Sequence, residues 1–216
     1  MVLINTKQIV CCRGNPDLKE AALTFDDGPS QPYTERILDI LGKYNVKGTF
    51  FMIGRSVERF PEIAKKVADG GHEIGNHTYS HSSLVLDTPR RIAMELERGE
   101  ETIRCCTGIS TRMFRPPYGT NTRRVLTQAL RRGYIIAKWS VNAGDWGKAS
   151  AERIARRTLA RVGNGAIILM HDGTSFRRNN HRWQTVGALS DIVVALKSRG
   201  YRLVTISELL DLKKAS

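Results

Sequence analysis

Five short clusters of polar residues in this chain carry side chains that could do chemistry together. Asp26-Asp27 sets two carboxylates side by side, and His77 and His81 lie four residues apart. Arg115 heads the run Arg115-Pro116-Pro117-Tyr118-Gly119, Asp145 precedes Trp146, and His171 precedes Asp172. One carboxylate and two imidazoles are enough to hold a divalent metal with positions left for water and substrate. A second carboxylate beside that ligand can take a proton from water. A third histidine, from another part of the chain, can give a proton to a leaving group. Such a set suits hydrolysis of an amide, because the amine leaves badly unless it is protonated. Taken singly, each cluster also has a plain structural reading. Asp26-Asp27-Gly28-Pro29 reads as a polar turn, the histidines as a solvated pair, the proline run as a rigid turn and His171 as a capping residue.

What must position these residues is a regular alternation of strands and helices. Short runs rich in Ile, Val, Phe and Tyr occupy 21–25, 48–53, 72–75, 113–115, 134–140, 166–170 and 201–205. Several are apolar on both faces, as in parallel sheets covered by helices. Helical patterns fill 32–44, 61–69, 88–104, 121–132, 150–162 and 184–199, and a last helix starts at Ser207. Thr88-Pro89 and Ser150 give N-terminal signals, and Gly70, Gly133, Gly163 and Gly200 give stops. About seven βα units with short connections form either a barrel or an open doubly wound sheet. No G-x-G-x-x-G follows the first strand, so the dinucleotide-binding version lacks support. Every polar cluster falls just after a strand. In a βα barrel all strands point the same way, so the clusters gather on one rim, where such barrels place active sites.

The 216 residues suit one domain, with no linker, repeat or low-complexity run. With 41% hydrophobic and 25% charged residues, long disorder is not expected. The charge balance is unusual: 34 Lys plus Arg against 21 Asp plus Glu give +13. A surface this basic attracts polyanions, such as the acidic polymers of a cell envelope. The basic pairs Arg123-Arg124, Arg131-Arg132, Arg156-Arg157 and Arg177-Arg178 are dispersed, however, and no compact nucleic-acid motif accompanies them. The four cysteines form two vicinal pairs, Cys11-Cys12 and Cys105-Cys106, at no zinc-ribbon or redox spacing, and read as free thiols. Residues 1–10 do not have signal-peptide character, and no apolar run is long enough to span a bilayer. As written, the chain reads as cytoplasmic; a trimmed leader would make it an exported or envelope protein.

The five clusters, in this order, resemble the motifs of the polysaccharide deacetylase family with the NodB homology domain, carbohydrate esterase family 4. Thr24-Phe25-Asp26-Asp27-Gly28-Pro29 is similar to its first motif and His77-Thr78-Tyr79-Ser80-His81 to its second. Arg115-Pro116-Pro117-Tyr118-Gly119 resembles the third, Asp145-Trp146 the end of the fourth, and Leu169-Met170-His171-Asp172 the fifth. The resemblance covers residues 20–212, leaving 1–19 as an N-terminal extension. It implies a distorted (β/α) barrel, often with fewer than eight strands. It also implies Asp26 as base, Asp27, His77 and His81 as ligands of zinc (cobalt or another divalent ion in some members), and Arg115 as the residue orienting Asp26. Tyr118 would offer its backbone N–H to the oxyanion, Asp145 would tune the general acid His171, and Trp146 and Leu169 would wall the acetyl pocket. One position departs: Asn142 stands where the fourth motif usually has Asp.

The substrate the resemblance implies is an acetylated oligo- or polysaccharide of chitin or peptidoglycan type, or an O-acetylated xylan. Three other classes compete. A non-haem iron oxygenase also uses two histidines and a carboxylate, but it needs neither Asp26, His171 nor the Arg115 run. An inactive sugar-binding relative could lose Asp26 or His171, and both are present. A nucleic-acid binder rests on charge alone.

Overall fold

A computed structural model of the chain describes residues 10–174 and 181–212. Residues 1–9 and the Arg177-Arg178 pair lie outside the described residues. The strands are β1 (Val10–Cys11), β2 (Glu20–Asp26), β3 (Thr49–Met52), β4 (Glu73–Asn76), β5 (Met113–Phe114), β6 (Ile135–Ala137), β7 (Val141–Asn142), β8 (Ala166–His171) and β9 (Arg202–Val204). The helices are α1 (Tyr33–Lys43), α2 (Gly54–Arg59), α3 (Pro61–Asp69), α4 (Pro89–Thr107), α5 (Arg123–Arg131), α6 (Ala151–Leu159), α7 (Trp183–Ser198) and α8 (Ile206–Leu209). The strands pair in parallel in the order β1-β6-β5-β4-β3-β2-β8-β7, with β9 added to β2. This is the distorted barrel that the alternation and the resemblance imply.

Two strands extend the count expected from the sequence. β1 and β7 are two residues each, too short for any periodicity to register. β7 also lies inside what reads as the tail of one long strand. The chain leaves β6 at Lys138, whose N–H donates to Cys11 O, and reaches the far edge at Ser140, whose N–H donates to Ile167 O. Residues 138–140 thus cross the seam of the barrel. Below them, the seam is drawn together by a Gly14 N–H to Gly165 O bond of 2.8 Å and by the bridge between Arg13 and Ala166. The segment read as an N-terminal extension therefore supplies β1 and this seam contact. Helix α2 has no sequence signal: it opens at Gly54 without a side-chain cap, and its first N–H groups bond Thr78 O and Tyr79 O of a neighbouring loop.

β2 is central. Its first residues pair β9 and its last residues pair β3 on the same side, while β8 runs along the other side. All seven residues are buried. Alternation sends Ala21, Leu23 and Phe25 outward into the cluster shared with α1, α6 and α7. Ala22 points the other way, into a cluster with Phe51, Met113, Ala137, Ile167 and Val204. Only the inside of a curled sheet lets side chains from six strands meet. The same parity carries Thr24 and Asp26 inward on β2, and Leu169 and His171 inward on β8. Where β9 and β3 diverge, α8 fills the gap: its first N–H groups and the Ser207 hydroxyl bond Glu73 of β4. Caps hold the helix starts, with Thr88, Thr122, Ser150 and Thr205 each accepting from a first-turn N–H. Each such cap is worth about 1 kcal/mol. All four cysteines are free thiols. Among the described residues no helix is long and apolar enough to cross a membrane.

Gly75 in β4 leaves room for the Phe51 ring, since a Cβ there would stand 2.5 Å from it. Phe51 cannot retreat, because the Arg115 guanidinium lies on its face, 4.0 Å from the ring centroid. Gly75→Ala is expected to cost about 1–3 kcal/mol by overpacking. The measurement is a lower urea midpoint at unchanged slope; an unchanged midpoint would show that Phe51 yields freely.

Candidate active site

Each sequence-predicted side chain sits at the end of a strand on one rim. Three of these positions, Asp27 (φ 76°), His81 (φ 56°) and Tyr118 (φ 58°), and also Thr78 (φ 68°) between the histidines, need backbone that L-residues seldom adopt. Strain of this kind persists only where the surroundings over-determine it, and it gathers at functional sites. The surroundings here do so. Gly28 O accepts from Ile53 N, and Asp26 O accepts from the N–H groups of Asp172 and Gly173. In the loop between the two histidines, Thr78 N bonds Asn76 Oδ1, and Glu95 of α4 takes both the N–H and the hydroxyl of Ser80 at 2.8 Å.

Arg115 is the largest fully buried side chain. Its Nε donates to Ala137 O at 3.0 Å and one terminal nitrogen to Lys138 O at 3.0 Å. The other donates to Thr24 Oγ1 and to Asp26 Oδ1, both at 2.7 Å. The carboxylate of Asp26, 4% exposed, is thereby fixed by a charge-assisted bond. Its other oxygen lies 3.8 Å from His77 Nε2.

Asp27, His77 and His81 bring ligand atoms within 4.8 Å of one another. His77 Nδ1 lies 2.6 Å from Arg115 O, an acceptor, so the proton sits on Nδ1 and the lone pair on Nε2. That Nε2 is 3.5 Å from Asp27 Oδ1, and His81 Nε2 is 3.1 Å from the same oxygen. Yet Asp27 Oδ1 is buried with no hydrogen-bond donor. Lone pairs facing one another at this range repel unless positive charge stands between them. Burial works to raise the Asp27 carboxyl, but the His77 and His81 imidazoles beside it hold it well below its usual range. Burial works to lower His77, and the charges of Asp26 and Asp27 raise it. The three donors, one oxygen and two nitrogens, fit a divalent metal such as zinc.

Across the cavity, His171 Nδ1 lies 2.8 Å from Asp145 Oδ1. The other Asp145 oxygen accepts from His171 N–H and from the Thr185 hydroxyl, both at 2.7 Å. Burial opposes charge on His171, yet Asp145, with Asp27 and Asp26 behind it, pushes its pKa up to about 9. Burial likewise works to raise Asp145, and His171 lowers it. The cavity, about 540 Å³, is lined by Asp26, Asp27, His77, His81 and His171 together with Tyr118, Trp146 and Leu169. Every candidate is thus at the site: all line the cavity except Arg115 and Asp145, which bond to Asp26 and His171 respectively.

Sequence reasoning missed several members. Arg182, 4% exposed, lines the cavity and ties two turns, with Nε to Gly173 O at 2.6 Å and Nη1 to Asp145 O at 3.5 Å. It precedes α7 in an unremarkable stretch, and nothing in its neighbours marks it. Thr185, Trp139 and Glu95 are equally silent in sequence. Asn142 accepts the Gly144 N–H at 2.7 Å, an Asx-type turn that needs only a side-chain carbonyl. The departure at this position therefore leaves the turn that presents Asp145 intact.

A sequence model of the polysaccharide deacetylase family matches residues 13–137, more than half of the chain. The chain belongs to that family. A peptidoglycan-N-acetylglucosamine deacetylase of Bacillus cereus is 38% identical to it over 195 residues, covering 90% of this chain and 70% of the relative. A chitooligosaccharide deacetylase of a Bradyrhizobium strain is 37% identical, covering 87% of this chain and 89% of the relative. The crystal structure of a peptidoglycan N-acetylglucosamine deacetylase in complex with 4-naphthalen-1-yl-N-oxidanyl-benzamide superposes with a TM-score of 0.92 at 36% identity, covering 98% of this chain and 97% of that one. This deacetylase carries the family's acidic, histidine and arginine motifs on the same rim as its cavity.

Because Arg115 spans β5, β6 and β2, its removal leaves Asp26 buried and unpaired. Arg115→Met in this deacetylase is expected to cost about 3–5 kcal/mol. Urea unfolding of the variant measures it; a loss under 1 kcal/mol would mean that Asp26 finds another partner or a proton without penalty.

Proposed function

We propose that the chain hydrolyses the N-acetyl group of N-acetylglucosamine residues in peptidoglycan or chitin-type oligosaccharides. The observation that carries this reading is the cavity itself. It brings a base fixed by a guanidinium, an oxygen and two nitrogens able to hold a divalent ion, and a histidine–carboxylate pair to one place. Asp27, His77 and His81 would hold the ion, zinc in preference to cobalt. When bound, such an ion acts as a Lewis acid toward the acetyl carbonyl and makes a water acidic enough to attack.

Asp26 takes the proton of the attacking water, and Arg115 keeps its carboxylate aimed for that task. The backbone N–H of Tyr118 stabilises the developing oxyanion. His171, held by Asp145 through Nδ1, presents Nε2 to the departing nitrogen and protonates it, so that the amine leaves neutral. Trp146 and Leu169 enclose the acetyl methyl. The relatives named above support the N-acetyl sugar over O-acetylated xylan, the second reading. Acetate release from peptidoglycan, chitin oligosaccharides and acetylated xylan separates the two. Peptidoglycan as the main substrate would place the protein outside the membrane, and soluble oligosaccharide would suit the cytoplasm; cell fractionation distinguishes them. The surplus of positive charge favours weak, salt-sensitive association with acidic envelope polymers, with no part in the chemistry.

Two outcomes are expected. A chelator abolishes activity, and zinc or cobalt restores it; full activity in rigorously metal-free protein would overturn the reading of Asp27, His77 and His81. Substitution separates the proton-transfer roles, each worth about 10²–10⁴-fold. Asp26→Asn cripples amides and esters alike. His171→Ala hurts the sugar amide by that factor but spares an aryl acetate, whose leaving group needs no proton. Equal loss on both substrates with metal still bound would remove His171 from the acid role.

A further inference from the structure

Asp172 is a buried carboxylate to which the proposed reaction gives no task. It is 1% exposed, and its Oδ1 has no hydrogen-bond partner among the described residues. It is not in the group of Asp27, His77 and His81. Its hydrogen bonds run to the end of β2, the turn that follows it and the start of α1. The Thr34 hydroxyl, in the first turn of α1, donates to Asp172 Oδ2 at 2.6 Å and accepts from Ser30 N–H at 2.8 Å. The Ser30 hydroxyl donates to Asp172 O. Asp172 N and Gly173 N donate to Asp26 O at 3.1 and 3.3 Å.

The packing is as tight as the bonding. A Cβ on Gly28 would stand 2.1 Å from Asp172 Oδ2, so the carboxylate lies against bare backbone. A Cβ on Gly173 would stand 2.1 Å from Asp27 O. The turn from Asp27 to Ser30 is therefore clamped between the end of β8 and the start of α1, and Asp27 is its left-handed member. Left-handed backbone at a non-glycine residue is strained and relaxes unless held.

We propose that Asp172 is a positioning residue: through Thr34 and Ser30, its carboxylate holds the turn after β2 in the shape that presents Asp27 to a metal ion. The inference rests on reading Asp27 as a ligand. Burial raises the Asp172 carboxyl to about 7, the Thr34 bond works against this, and the charges of Asp27 and Asp26 add to it.

The test uses the full chain stripped of metal, with zinc affinity read by competition against a chromogenic chelator and thermal stability read on the metal-free protein. Asp172→Ala is expected to weaken zinc binding roughly 10–100-fold, the range for residues that orient ligands. Thr34→Val, nearly isosteric, is expected to weaken it in the same direction. Asp172→Asn still offers a carbonyl to Thr34 and is expected to recover most of the loss. Wild-type zinc affinity in both Asp172→Ala and Thr34→Val, with only a lower melting temperature, would overturn the proposal and leave Asp172 a packing residue. If Asp172→Ala fails to fold, Thr34→Val decides by the same readout. Failure of the unaltered chain to take up zinc would overturn the ligand reading and this proposal with it. Uptake by the unaltered chain with equal uptake by the variants overturns the positioning role alone.

Discussion

The rim of this barrel depends on one buried ion pair, Arg115 with Asp26. Burying two charges costs several kcal/mol per ion, and attraction repays it only when the remaining hydrogen-bonding capacity is also met. Arg115 meets it with carbonyl oxygens of Ala137 and Lys138, the hydroxyl of Thr24 and a carboxylate oxygen of Asp26. Its flat face rests on Phe51 at 4.0 Å, with Trp139 at 5.8 Å. The acceptors come from β2, from the end of β6 and from the crossing that follows it, so the guanidinium joins the strands around the inside of the sheet. Its own carbonyl then orients His77. One side chain thus sets the position of the proposed base and the tautomer of a proposed ligand. Lysine has neither the fork nor the flat face, and could not do both.

Around that pair, the structure accepts strained backbone and holds it from outside. The histidine loop contains two left-handed residues, Thr78 and His81. It is fastened by Glu95 to α4, and by Asn76, whose amide also bonds Leu96 O and the Tyr134 hydroxyl. A Cβ on Gly99 would stand 2.7 Å from Asn76 Oδ1, so α4 approaches at backbone distance. The helices here do more than cover the sheet. Their spacing fixes the angle at which the loops leave the strands.

Much of this was legible in the sequence because periodicity and punctuation speak for local structure. The strands of the inner sheet are apolar on both faces, the helices are bounded by Thr, Ser, Pro and Gly, and the polar clusters follow strands, which by itself predicts a rim. β1, β7 and α2 were not legible, since two-residue strands and a six-residue helix opening on glycine carry no period. The crossing at residues 138–140 was hidden for a related reason: Lys138-Trp139-Ser140 continues the composition of β6, and only pairing with Cys11 and Ile167 shows the chain changing edges. Within the site, residues in motifs were visible, and residues that reach it from helix starts were not. Arg182 lines the cavity and Thr185 reaches Asp145 only because α7 begins beside the turns that carry Asp145 and Gly173.

The site sorts like side chains by giving each a different counter-group. Asp26 faces a guanidinium at 2.7 Å. Asp145 faces His171 and a hydroxyl, and the pair shares its charge through Nδ1. Asp27 faces two imidazole nitrogens, with an oxygen to which nothing donates. Three aspartates around one site would otherwise repel one another. Separate partners push their environments apart, and environments pushed apart are what allow acid, base and ligand to coexist. The buried Asp172 has no cationic partner among the described residues, and its carboxyl rises to about 7 under burial and the charges of Asp27 and Asp26. Asp27 and Asp145 are held low by the imidazoles they face, and Asp172 rises without one, although all three are buried to a similar degree.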